Sequence, residues 1–264
     1  MNLLEVARSR IAQGPSLIAL DFDGTLTEIA TDFRDPGLDE RRRGVLARIP
    51  GAGRRLAIVS GRALPDLRAR VGLREAIYVG NHGLEIDGAG LRSRFAPAGS
   101  EDRLAALLDS LPLPSGILVE NKSLTATLHV RPLDDRSLHG ALRASLEEAV
   151  SRAGFELRPG KSSWEIRPAG AKTKGDAVAF LIGALPGVTR ERTVYIGDDA
   201  TDEDAFRALS PDCPGGGKGG ITVRVGEAGI ATAARHRLPD PDAVYRFLES
   251  LVDDRASRRA RRLP

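Results

Sequence analysis

The sequence predicts an α/β protein: a Rossmann-like, mostly parallel sheet with helices on both faces, interrupted by a smaller α+β domain. Three observations lead there. Short apolar runs stop abruptly at glycine or polar residues, as in LIAL before Asp21, LAIV before Ser60 and VYI before Gly197-Asp198-Asp199; such runs suit strands buried on both faces. Stretches of helical spacing separate these runs, and alternating strand and helix builds a parallel sheet. Between about residues 96 and 168 strands follow one another directly, and afterwards the first pattern returns.

Taken in order, Leu3, Leu4, Ala7 and Ile11 share a helical face ahead of the first strand, residues 17–20. Asp21, Asp23, Gly24, Thr25 and Thr27 follow it. Residues 38–49 read as a helix ended by Gly51 and Gly53. The second strand, 54–59, stops at Ser60-Gly61-Arg62; a helix over 64–71 and a strand over 76–79 lead to Gly80-Asn81-His82-Gly83. LEIDGAGLRS predicts a hairpin with Asp87-Gly88 in its turn. Within the insertion, a helix over 104–111 is broken by Pro112 and Pro114. Residues 117–120 and 123–130 read as paired strands, the second alternating Leu124, Ala126, Leu128 and Val130 with Ser123, Thr125, Thr127 and His129. A long helix over 133–153 and strands over 155–158 and 163–167 complete it. Then come a helix over 174–185 capped by Thr173, a strand over 193–196 ending in Gly197-Asp198-Asp199, and a helix over 201–209 opening on acids. A strand over 221–225 and a helix over 242–252 close the chain. The expected domains are a core of residues 1–95 and 169–264 and an inserted domain of 96–168.

The 264 residues are 41% hydrophobic, enough for a substantial core. Cys213 stands alone, so no intramolecular disulfide forms, which fits a reducing compartment. The net charge of +3 is a property of the tail: five arginines lie in the last ten residues, and without them 34 basic residues face 36 acidic ones. No aromatic residue interleaves these arginines, so a solvated terminus is a better reading than nucleic-acid binding. MNLLEVARSR carries Glu5 and lacks the apolar core of a secretory signal, and no 18 apolar residues run together. The expectation is a cytoplasmic monomer acting on a small molecule, without a membrane partner.

Ligands of open α/β sheets bind beyond the carboxyl ends of the strands. There this chain places two carboxylates two residues apart. An extended Phe22 would point Asp21 and Asp23 the same way and turn its own ring into the apolar layer. Crowded carboxylates repel; a divalent cation relieves them, and hard oxygen ligands suit Mg²⁺, which brings phosphate with it. An ionised aspartate is also a nucleophile at phosphorus. Asp21 and Asp23, Ser60, Lys174, and Asp198, Asp199 and Asp202 would converge on one sheet edge. A nucleophilic carboxylate, a metal, a hydroxyl and an ammonium are the parts of phosphoryl transfer. Other motifs fail: Phe155 stands where a P-loop ending at Gly160-Lys161-Ser162 needs glycine, the glycine-rich stretch 215–220 lacks the following hydroxyl residue and helix, and no Cys/His cluster supports zinc.

DFDGTLT, SGR, Lys174-Gly175 and GDDATDED resemble, in order, the four signature motifs of the haloacid dehalogenase superfamily of phosphotransferases. The resemblance implies a Rossmannoid core with an inserted C2-type cap and a Mg²⁺-dependent phosphatase. Asp21 would attack phosphorus; Asp23 would protonate the leaving oxygen and then deprotonate the hydrolytic water. Asp21, the backbone carbonyl of Asp23 and Asp198 would hold the metal. Ser60 and Lys174 would assist at the phosphoryl group, Gly61 and Arg62 would contact substrate, and Thr25, Asp199 and Asp202 would support the site. GNHGLE at 80–85, VENKSLTATLHVR at 119–131 and GKSSWEIRP at 160–168 further resemble the trehalose-6-phosphate phosphatases over nearly the whole chain. That implies hydrolysis of trehalose 6-phosphate, in trehalose biosynthesis, through an aspartyl-phosphate. It also implies a cap gripping the sugars through Lys122, His129, Arg131, Lys161 and Glu165, with Asn81 and His82 at its seam with the core. Val130 stands where the family pattern has an aromatic. The alternatives are a phosphatase of another sugar phosphate, such as sucrose phosphate or a glycosyl-phosphoglycerate, and a sugar-phosphate sensor without turnover.

Overall fold

β1 (Ser16–Asp21) is buried at all six positions, as a strand flanked by neighbours on both edges and covered on both faces must be. The structure, a computed structural model, describes residues 2–28, 37–51, 53–130, 136–160, 163–213 and 217–253, with only the backbone at 136–139 and 141. The chain divides into two compact units, Met1–Ser93 with Thr173–Pro264, and Arg94–Lys172.

The first unit runs through α1 (Leu3–Ile11), β1, α2 (Glu40–Ala47), β2 (Arg54–Val59), α3 (Leu64–Val71), β3 (Ile77–Gly80), β4 (Glu85–Gly88) and β5 (Leu91–Arg94). The second contains α4 (Ser100–Ser110), β6 (Leu118–Asn121), β7 (Ala126–His129), α5 (Arg136–Arg152), β8 (Phe155–Gly160) and β9 (Ser163–Pro168). The first resumes with α6 (Lys174–Ala184), β10 (Thr193–Gly197), α7 (Asp202–Ala208), β11 (Ile221–Val225), β12 (His236–Leu238) and α8 (Pro241–Val252).

The large sheet has the order β12-β11-β10-β1-β2-β3-β4-β5. From β12 to β3 every pairing is parallel, and β4 joins β3 antiparallel. Leu20 stands opposite Ile196 of β10, and Asp21 opposite Val59 of β2. The residues that follow these strands, Asp198 and Ser60, are thereby brought to the edge where Asp21 ends β1. Ile18, Leu20, Ile58, Val194, Ile196 and Val223 share one apolar cluster with α8.

The small sheet, β6-β7-β9-β8, is antiparallel throughout. Ala126, Leu128, Trp164 and Ile166 pack with Leu104 and Leu107 of α4 and Leu146 and Val150 of α5. Strand alternation sends Thr127, His129, Ser163 and Glu165 to the opposite face.

Three local expectations change. Asp87 pairs with Tyr78 inside β4, so the hairpin turns at Ala89-Gly90, where φ is +52° and +79°. β12 spans three residues, too few for an apolar run to announce it. β1 stops at Asp21, and the chain turns at Phe22, whose carbonyl accepts from the amides of Leu26 and Thr27; its ring is still buried, as expected.

Gly175 permits the close approach of α6 and α7: a Cβ there would lie 2.4 Å from the Asp204 carbonyl oxygen. Gly175→Ala is expected to lower stability by about 2 kcal/mol through overpacking, measured as a shift in the urea midpoint at constant slope.

Candidate active site

Lys174 occupies the first turn of α6, which a Thr173–Asp176 capping box starts at that residue. Its ammonium is buried, 2% exposed, and donates to Asp21 Oδ1 at 2.7 Å and Asp202 Oδ1 at 2.8 Å. Asp199 Oδ1 lies 3.6 Å away. Burial alone would neutralise the lysine, but Asp199, Asp202 and Asp21 outweigh it and hold its pKa well above the ordinary value.

Asp202 is saturated. Its Oδ1 accepts from Lys174 and from the Tyr195 hydroxyl at 2.7 Å, and its Oδ2 accepts from the amides of Asp198 and Asp199 at 2.9 and 3.0 Å. These four bonds match the four lone-pair directions of a carboxylate. Asp202 therefore shapes the turn after β10 and steadies Lys174, with no direction left for a ligand.

Asp21 and Asp198 remain. Burial pushes the Asp21 carboxyl well up, against the pull of Lys174. Burial, with Asp202 and Asp199 nearby, pushes Asp198 up to about 7. One oxygen from each of Asp21, Asp198 and Asp202 falls within 4.8 Å of the others. Asp198 also accepts from Thr25 Oγ1 at 3.2 Å. At Gly24, φ is +85° and a Cβ would sit 2.2 Å from Asp198 Oδ2, so the DxDGT glycine keeps that carboxylate's place open. One buried and one half-buried carboxylate crowded together fit a divalent cation, with Asp21 and Asp198 as its carboxylates.

Asp23 lies outside this cluster, held by Arg62. Ser60 is buried and its Oγ accepts from the Arg62 amide at 3.2 Å. At Gly61 a Cβ would lie 2.2 Å from His82 Nε2, so the glycine of SGR makes room for that imidazole. Asn81 and His82 adopt left-handed φ of +48° and +57°. Their amides bond to the Arg62 and Ser60 carbonyls, which ties the loop after β3 to the loop after β2. Asn81 Nδ2 donates to Glu85 at 2.8 Å.

In the second unit, Lys122 Nζ and Glu165 Oε1 are 4.0 Å apart, and His129 Nε2 lies 3.3 Å from Glu120 Oε2. Arg131, Lys161 and the arginine tail lie outside the described residues. The sequence reading missed Tyr195, whose hydroxyl supports Asp202, and Glu120, whose face is set by its register opposite Thr127. Glu203 is one of the acids expected to open the helix over 201–209. The structure pairs it with Arg224 at 3.1 Å and gives it the Ala233 amide at 2.7 Å, the bonds a buried carboxylate needs.

A buried carboxylate ends the central parallel strand, crowded by further acids and one ammonium, on a fold shared with solved phosphatases of the haloalkanoate (HAD) superfamily. The family model for trehalose-phosphatase matches residues 19–241. The chain belongs to that family, whose members are phosphoric monoester hydrolases. It is 33% identical over 271 residues to "Probable trehalose-phosphate phosphatase 3" of Oryza sativa subsp. japonica, covering 91% of this chain and 70% of that one. It is 35% identical over 246 residues to the trehalose-phosphate phosphatase of Mycobacterium marinum, covering 89% and 61%. A crystal structure titled as a trehalose-6-phosphate phosphatase related protein superposes with a TM-score of 0.72 at 25% identity, over 92% of this chain and all of that one. Among the described residues no helix is long and apolar enough to cross a membrane.

Lys174→Met removes the ammonium between two buried carboxylates and is expected to cost about 3 kcal/mol, read by urea denaturation. The variant's carboxyl pKa values rise further above their unfolded values, so protonation relieves the loss at low pH. The deficit should therefore be larger at pH 8 than at pH 5.

Proposed function

We propose that this chain is a Mg²⁺-dependent phosphatase that hydrolyses trehalose 6-phosphate to trehalose and phosphate through an aspartyl-phosphate on Asp21. The observation that carries the reading is the contrast between two acids two residues apart. Asp21 is buried, bonded to Lys174 and beside Asp198; Asp23 is half-buried and bonded to Arg62. Carboxylates with such different surroundings suit different roles.

Asp21 attacks phosphorus with the oxygen not committed to Lys174, and Lys174 fixes its direction. Asp23 gives a proton to the departing sugar oxygen, then takes one from the water that cleaves the aspartyl-phosphate. Ser60 contributes its hydroxyl to a phosphoryl oxygen. Asp21, Asp198 and the Asp23 carbonyl would hold the metal; the chemistry Mg²⁺ supplies there is to keep Asp21 ionised and neutralise phosphoryl charge. The polar face of the small sheet supports the choice of a disaccharide. Glu120, Lys122, His129 and Glu165 offer donors and acceptors, as a ligand rich in hydroxyls and poor in apolar bulk requires. We place the enzyme in the cytoplasm, consistent with its single cysteine.

Phosphate release from a panel of sugar phosphates tests this. Trehalose 6-phosphate with Mg²⁺ should be the preferred substrate, chelator should abolish turnover, and Asp21→Asn should lower kcat on the order of 10³-fold or more. Equal turnover of simple hexose phosphates would end the trehalose assignment. Glu165→Gln should reduce kcat/KM for trehalose 6-phosphate by about 10- to 100-fold, and less for a sugar-free phosphate ester; equal losses would remove Glu165 from the sugar site.

A further inference from the structure

Asp23 and Arg62 meet as a two-toothed fork. Arg62 Nε donates to Oδ2 at 2.7 Å and Nη2 to Oδ1 at 2.6 Å. Such a pair fixes the plane of the carboxylate as well as its place. The far side of the guanidinium is also held: Nη1 donates to Asp66 Oδ2 at 3.1 Å. Asp66, on α3, is clasped in turn by Arg70, whose Nε lies 2.9 Å from both of its oxygens. The Arg62 guanidinium lies over the Phe22 ring at 5.6 Å, and its side chain is only 13% exposed. Arg62 therefore takes its direction from α3 and Phe22, before any substrate is present, and spends two of its donors on the acid next to the nucleophile. The family resemblance implies a different place for Arg62, in contact with substrate.

We propose that Arg62 is a positioning residue for proton transfer: held at its far end by Asp66, it retains one oxygen of Asp23 and thereby aims the other at the leaving-group oxygen. The proposal rests on the phosphatase reading above. In the first step the Asp21 oxygen forms a bond to phosphorus as the bond from phosphorus to the sugar oxygen breaks. The electron pair of that bond stays on the sugar oxygen, which takes the proton from Asp23. In the second step water forms the new bond to phosphorus, its proton returns to Asp23, and the Asp21–phosphorus bond breaks to restore the carboxylate. One tooth of the fork is open while Asp23 carries the proton; it closes as the first step takes that proton and opens again as the second returns it. The other keeps the carboxyl from rotating away, and a displacement of about 1 Å can cost 100-fold in rate.

The test is the dependence of kcat/KM on leaving-group basicity, measured on the full chain with Mg²⁺ across 4-nitrophenyl phosphate, phenyl phosphate and simple alkyl phosphates. None of these carries a sugar. A good leaving group departs without a proton, whereas an alkoxide needs one, so loss of the proton donor steepens the dependence. Asp23→Asn is the reference and should be steep. Arg62→Lys keeps the charge but loses the fork, and Asp66→Asn leaves Arg62 in place but frees its far end. Both should steepen the dependence, with losses growing from about threefold for 4-nitrophenyl phosphate to about 100-fold for alkyl esters with Arg62→Lys. Smaller losses along the same trend are expected for Asp66→Asn, and that variant carries the test alone if Arg62→Lys does not fold. Equal losses on every ester would overturn the proposal and return Arg62 to substrate binding. If Asp23→Asn left the dependence at its wild-type value, the acid assignment would fall first, and the positioning role with it.

Discussion

The buried ammonium of Lys174 is the charge around which this site is assembled. Taking an ammonium and its partner carboxylates out of water costs several kcal/mol per ion unless the geometry is good and the remaining hydrogen bonds are made. Every local device near Lys174 meets that demand. The capping box starts α6 at this residue, Gly175 lets α6 lie against α7, and Asp202 opens α7 with all four of its acceptor directions used. Tyr195, on the strand beside β1, completes the set from below. One ammonium is still too little for Asp21, Asp198, Asp199 and Asp202. Burial, together with the charges of Asp202 and Asp199, raises Asp198 to about 7, and the surplus negative charge makes a cation the natural complement of the cluster.

The same arrangement explains how two aspartates separated by one residue come to differ. The turn at Phe22 ends β1 at Asp21, which stays in the dry edge of the sheet with Lys174, and carries Asp23 toward the loop after β2. One acid meets a compact ammonium beside further carboxylates, the other a planar guanidinium. A point charge leaves a carboxylate oxygen free to react, whereas a fork sets an angle. The roles proposed for them, nucleophile and proton carrier, need those two different constraints.

In the second unit the division of labour runs between the two faces of one sheet. The face toward α4 and α5 is apolar and holds the unit together. The other presents His129 with Glu120 and Lys122 with Glu165. On the proposed reading, discrimination among sugars would follow from such pairs, because a polar group left unmatched by the wrong ligand is costly, whereas one more apolar contact distinguishes little.

Much of this was readable in the chain alone. Strands buried on both faces must be continuous apolar runs, so β1, β2 and β10 announced themselves, and their ends marked the edge where Asp21, Ser60 and Asp198 gather. Spacing within motifs picked out Asp21, Asp23, Ser60, Lys174 and Asp198, since local sequence carries which residues follow each strand. Partnership across the chain is different in kind. That Asp202 is spent on Lys174, Tyr195 and two amides depends on where α6 and α7 meet β10. That Arg62 grips Asp23 rather than solvent depends on the turn at Phe22 and on Asp66 behind it. Glu120 faces His129 through the register of β6 on β7, which a four-residue strand does not encode. Hydrogen bonds act over about 3 Å between groups far apart along the chain, so their pairing belongs to the folded arrangement and to no single stretch of residues.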